Sequence, residues 1–127
     1  MNTKLHSVII DCKKCDAISL SNQLKNNPNI ETVKIFQNAY DGLAYITKSE
    51  VDVVLFNLET PYAIASGYMD RNINTMPYII TTTAQSERCD TNKKRSKVVG
   101  YLIKPIETNV LNKYLEEVLL LKNAFIK

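Results

Sequence analysis

Tryptophan is missing from the chain, and only one histidine, three cysteines, three glycines and four prolines occur among its 127 residues. With so little Gly and Pro, no stretch has the composition of an interdomain linker. Repeats and low-complexity segments are absent too. His6 has no second histidine with which to share a metal, so a packed or surface role is expected for it. An odd number of cysteines (Cys12, Cys15 and Cys89) argues against a disulfide framework. The opening MNTKLHSVIID lacks the apolar stretch of a signal peptide, and no run could span a membrane. A cytoplasmic protein without a membrane partner is therefore expected. Neither sign of charge dominates: 16 basic and 13 acidic residues leave +3. Such mild basicity does not by itself imply a nucleic-acid partner. The length suits one domain over residues 1–127 with one core, spanning about residues 5–121.

Five short apolar runs punctuate the chain, at residues 5–10, 33–36, 53–56, 78–80 and 98–103. Helical spacing fills several of the gaps. Ala17, Leu20 and Leu24 share one face, as do Ala39, Leu43 and Ile46. Asn38 is a natural N-cap for the second of these, with Asp41 three residues on. The last segment repeats the pattern at Val110, Leu111, Tyr114, Leu115, Val118 and Leu121. Segments 62–75 and 85–97 are weaker, and residues 88–97 have almost no apolar face. Strand and helix thus alternate five times, which predicts a parallel sheet covered on both faces. Continuous apolar runs such as Val53-Val54-Leu55-Phe56 fit strands buried on both sides.

The strands end alike: VIIDC, VLFNLETP, YIITTTA and YLIKP. Each apolar run gives way to polar groups at its C-terminal end, the edge where open parallel sheets bind ligands. Asp11, Cys12, Asn57, Thr82 or Thr83, and Lys104 are expected to converge there. Strands turning polar on meeting solvent would explain any one of them. It explains less well a carboxylate, an amide, a hydroxyl and an amine at four strand ends, with Pro105 after Lys104.

Asp11-Cys12, Asn57 with Pro61 four residues on, Thr83-Ala84 and Lys104-Pro105 stand in an order and spacing that resembles the receiver domain of two-component response regulators. The resemblance covers roughly residues 5–121. YIITTTAQSE and VVGYLIKPI are most similar to receivers of LytTR-type regulators, which carry a DNA-binding domain after the receiver. The resemblance implies a flavodoxin-like (CheY-like) (βα)5 three-layer sandwich, with a five-stranded parallel sheet in the order 2-1-3-4-5. It makes Tyr101 the switch aromatic. It makes the face of the fourth helix, fifth strand and fifth helix the contact surface for a sensor kinase, an effector domain or a second copy. Lys93, Lys94 and Arg95 border that face and suit an acidic partner. A solvated helix face is the plainer explanation of that basic run, since no aromatics are interleaved for nucleic acid.

In the family an Asp at the end of the third strand becomes an acyl phosphate, with help from Mg²⁺. Here Asn57 stands in that place, and a neutral amide is a very poor nucleophile. Cys12 replaces the acidic residue that contacts the metal, and a soft thiol suits Mg²⁺ badly. Weak or absent Mg²⁺ binding and a degenerate phosphoacceptor site are therefore expected, with no catalytic residue and no cofactor. Asn57 is expected to donate to Asp11 and accept from Lys104. Glu59 restores some negative charge if it faces inward. A rival reading takes Cys12-Lys13-Lys14-Cys15 as a thioredoxin-like redox motif at a helix start. The all-parallel alternation speaks against it. Another takes the chain as the receiver part of a DNA-binding transcriptional regulator. In Leu119-Leu120-Leu121, at least one leucine should lie off the core.

Overall fold

The computed structural model describes residues 4–60, 77–83 and 98–124. Five strands form one parallel sheet: β1 (Leu5–Ile10), β2 (Ile30–Phe36), β3 (Val53–Asn57), β4 (Tyr78–Thr83) and β5 (Val98–Lys104). Their order is β2-β1-β3-β4-β5, as expected for the flavodoxin-like fold. Helices α1 (Lys14–Lys25), α2 (Ala39–Lys48) and α3 (Thr108–Ala124) complete the described elements. The helices expected within 62–75 and 85–97 lie outside the described residues.

Successive side chains of a strand point to opposite faces, so an interior strand covered on both sides must be apolar throughout. β1 shows this. Leu5 and Ile9 join α1 and α3 in one cluster, with Ala17, Leu20, Leu24, Leu111, Leu115 and Val118. Val8 and Ile10 join Ala39, Leu43 and Ile46 of α2 in the other. Val53 and Leu55 of β3 divide from Val54 and Phe56 in the same way. All five residues of β3 are buried.

The edge strand β2 is longer than its apolar run. Glu31 and Lys34 are exposed within it, and such charges are usual where a strand has only one partner. β4 likewise runs on through its threonines, whose β-branched side chains fit a sheet. Asn38 caps α2 as predicted. Its Oδ1 accepts from the Asp41 N–H at 2.8 Å, and its Nδ2 donates to the Asp41 carboxylate at 2.9 Å. On α3, Leu120 and Leu121 are 69% and 46% exposed, so the leucine run does extend past the core.

Two contacts anchor α3. Tyr114 lies directly over Gly100 of β5, where a Cβ would run into its ring. Its hydroxyl donates to the Tyr101 carbonyl at 3.3 Å. At the far end of the helix, Lys122 Nζ donates to the Lys4 carbonyl at 2.8 Å and to Asp52 Oδ2 at 3.0 Å. The same Asp52 oxygen accepts from the His6 N–H at 2.7 Å, which ties β1, the entry to β3 and α3 together. His6 Nδ1 lies 2.9 Å from Thr32 Oγ1, so the histidine has a packed, hydrogen-bonded role.

Candidate functional site

The C-terminal edge of the sheet collects the polar residues as the strand ends predicted. Register does much of the work. Ile10 pairs with Phe56, so Asp11 emerges beside Asn57. Asn57 pairs with Thr81, and β4 runs two residues further to pair Thr83 with Lys104. The Thr83 side chain lies outside the described part of the molecule, as do Lys93, Lys94, Arg95 and Cys89.

Asp11 is 1% exposed. Its backbone N–H donates to the Phe36 carbonyl at 3.0 Å, continuing the ladder with β2. One carboxylate oxygen accepts from the Lys13 N–H at 2.8 Å and shapes the turn into α1. The other accepts from Lys104 Nζ at 3.0 Å. Lys104 reaches a second carboxylate, Asp16 of α1, at 2.8 Å. Burial pulls the Lys104 pKa down, but hydrogen bonds to Asp16 and Asp11 and their charges outweigh it, and the amine is held above its ordinary value.

The predicted bridge through Asn57 is not what forms. Asn57 is fully buried, but its Oδ1 accepts from the backbone N–H of Glu59 at 2.6 Å. Its Nδ2 has no hydrogen-bond partner among the described residues. Local geometry explains this. Asn readily bonds the backbone two residues on, and here that closes a turn in which the Thr60 N–H also donates to the Asn57 carbonyl at 3.1 Å. Asp11 and Lys104 therefore pair directly, and Asp16 supplies the third member in place of Asn57.

Cys12 faces that turn. Its N–H donates to Thr60 Oγ1 at 3.3 Å, and its Sγ donates to the Glu59 carbonyl at 3.7 Å. Glu59 itself is half-buried. Tyr101 is half-buried against the α2-side cluster, on the face opposite Leu102. Asp16 and Thr60 escaped the sequence reading. An acid in the first turn of the helix that leaves β1 was the available signal for Asp16. Thr60 carried none beyond its nearness to Asn57.

Metal-binding potential follows from the donors. Both oxygens of Asp11 are engaged by Lys13 and Lys104. Cys12 offers sulfur, and Asn57 offers an N–H donor where a cation needs oxygen. Among the described residues no three His, Cys, Asp or Glu side chains are grouped to hold a metal. This donor set does not fit Mg²⁺. Beside the site, Asp16, Ser19, Leu20, Gln23, Lys104 and Ile106 line a shallow cavity of about 180 Å³.

A parallel sheet in the order 2-1-3-4-5, with a carboxylate, an amide and a lysine at its C-terminal edge, defines the receiver fold, and solved structures agree. The chain is similar to a response regulator receiver domain protein from Clostridium thermocellum, at 17% identity and a TM-score of 0.81, over 96% of this chain and 99% of that one. It is similar to the signal receiver domain of an HD domain-containing protein from Pseudomonas fluorescens Pf-5, at 17% identity and a TM-score of 0.79, over 95% and 98%. The chemotaxis protein CheY4 of Vibrio cholerae matches at 20% identity and a TM-score of 0.71, over 91% and 98%. At these identities the likeness is one of fold. No protein-family profile and no curated protein matches the sequence. No described helix is long and apolar enough to cross a membrane.

Proposed function

We propose that the chain is a receiver-like signalling module that does not accept a phosphoryl group and acts through protein contacts rather than as an enzyme. One observation carries this reading. The buried end of β3 presents an amide, with its oxygen held by the Glu59 N–H and its nitrogen a donor, where the receiver reaction needs a carboxylate nucleophile. The rest of the edge agrees. Lys104 is already paired with both Asp11 and Asp16, so the positive charge that would meet a phosphoryl group is balanced from within. Mg²⁺ binding is weak or absent, because a thiol and an amide replace carboxylates around Asp11.

The test is incubation with Mg²⁺ and acetyl phosphate, read by intact mass. No phosphoryl adduct should form. Asn57→Asp alone should yield little, because Cys12 still impairs the metal site. A stoichiometric, base-labile phosphoryl gain by the unaltered protein overturns the proposal. The proposed contact surface is that of β5 and α3; exposed Ile103, Leu120 and Leu121 support it. Its partner is a kinase, an effector domain or a second copy of the chain.

A further inference from the structure

Cys12 and Cys15 are reactive side chains that the proposed function leaves unused. Lys13 is the N-cap of α1. Cys12 therefore precedes the cap, and Cys15 sits in the first helical turn. Both are free thiols, Cys15 exposed and Cys12 half-buried. Lys13 and Lys14 between them are exposed as well, which favours the approach of an anionic molecule to Cys15. Cys12 is also wired into the site. Its thiol and its N–H hold Glu59 and Thr60, in the same turn that fixes Asn57.

We propose that Cys12 and Cys15 form a reversible intramolecular disulfide by exchange with a small anionic disulfide of the glutathione kind, and that closing the bridge loosens the turn at residues 57–60. The thiolate of Cys15 attacks one sulfur of the small disulfide, whose S–S bond breaks and releases a thiolate. The thiolate of Cys12 then attacks the Cys15 sulfur, closes the bridge and expels the second small thiol. The protein thiols are oxidised by one electron pair, and the small disulfide is reduced by it. The protons lost by the cysteines are taken up by the departing thiolates. Closing the bridge requires the Cys12 sulfur to leave the Glu59 carbonyl. An S–H···O contact is a weak bond, so little opposes its release. The Asn57 turn then keeps only part of its support. This inference does not depend on the phosphoryl reading, since it concerns thiols that a phosphorylation assay on reduced protein never touches.

The experiment uses a Cys89→Ser background, which removes the third thiol. The protein is equilibrated with mixtures of reduced and oxidised glutathione, quenched by alkylation, and read by intact mass and peptide mapping. A Cys12–Cys15 link should appear with the loss of two hydrogens and reverse in excess thiol. Adding Cys12→Ser should leave a glutathione adduct trapped on Cys15. Adducts without closure in the Cys89→Ser protein, disulfide-linked dimers, or no reaction at all overturn the proposal. Amide hydrogen exchange gives the second readout. The Glu59 and Thr60 amides should exchange several-fold faster in the oxidised protein, and unchanged rates overturn the coupling to the turn. Neither of these measurements on the parent depends on the Cys12→Ser variant folding.

Discussion

Lys104 is held by two carboxylates that differ in how much water reaches them. Asp11 has a side chain 2% exposed, whereas that of Asp16 is 40% exposed. Their removal should therefore have unequal effects. Lys104→Met strands a buried carboxylate, a loss of about 3–5 kcal/mol when one partner of a buried pair is removed. Asp16→Asn breaks a wetter pair and should cost about 0–1 kcal/mol. Urea unfolding of the two variants checks the contrast, and equal losses would contradict it. The pH dependence follows from the same pairing. The Lys104 pKa is raised in the fold above its ordinary 10.5. Its stabilising contribution is then complete below that ordinary value and is lost as pH rises through the higher folded one. The stability gap between the parent and Lys104→Met should narrow as pH rises through that alkaline window. Much of this site was legible, because Asp11 and Lys104 stand at strand ends that the parallel order forces together. Asn57 was misjudged because its side chain's bond to the nearby Glu59 backbone won over a long-range pairing. Asp16 was missed because its reach depends on where α1 begins.

At the scale of elements, β5 and α3 meet at a close approach that leaves no room for a side chain at position 100. Gly100→Ala would drive a Cβ into the Tyr114 ring. Overpacking of this kind costs about 1–3 kcal/mol. The double variant Gly100→Ala with Tyr114→Ala should recover part of the loss, and simple additivity in thermal unfolding would show that the ring is not the obstacle. Tyr114→Phe should cost less, about 0.5–1.5 kcal/mol for its single bond to the Tyr101 carbonyl. Elements buried on both faces were the easiest to read, since β1 and β3 are apolar throughout. The edge strand β2 was read short because Glu31 and Thr32 separate Ile30 from the apolar run that begins at Val33. Nothing in the periodicity of the last helix revealed that Tyr114 would lie over a glycine from the neighbouring strand. That contact depends on the angle at which α3 crosses the sheet.

For the whole molecule, the proposed contact face makes a direct demand. Ile103 is 51% exposed on the terminal strand of the sheet. If a second copy docks there, Ile103→Glu should shift sedimentation equilibrium toward monomer. Stability should change by no more than about 0.5 kcal/mol, as for most surface substitutions. Unchanged association would move the interface elsewhere.

The Lys122 contact with the Lys4 carbonyl brings the first strand and the last helix within one hydrogen bond of each other. Topologically, the described fold is nearly a closed ring. Its native order of segments should then be one choice among several. A circular permutant that joins the two ends with a short flexible linker and opens at exposed Glu50, between α2 and β3, should fold to the same sheet. Circular dichroism and cooperative urea unfolding would show it. A molten product would mean that the order of synthesis matters as well as the contacts. By the same closeness of Lys4 and Lys122, a domain spanning the described residues should tolerate being spliced into a surface loop of another protein.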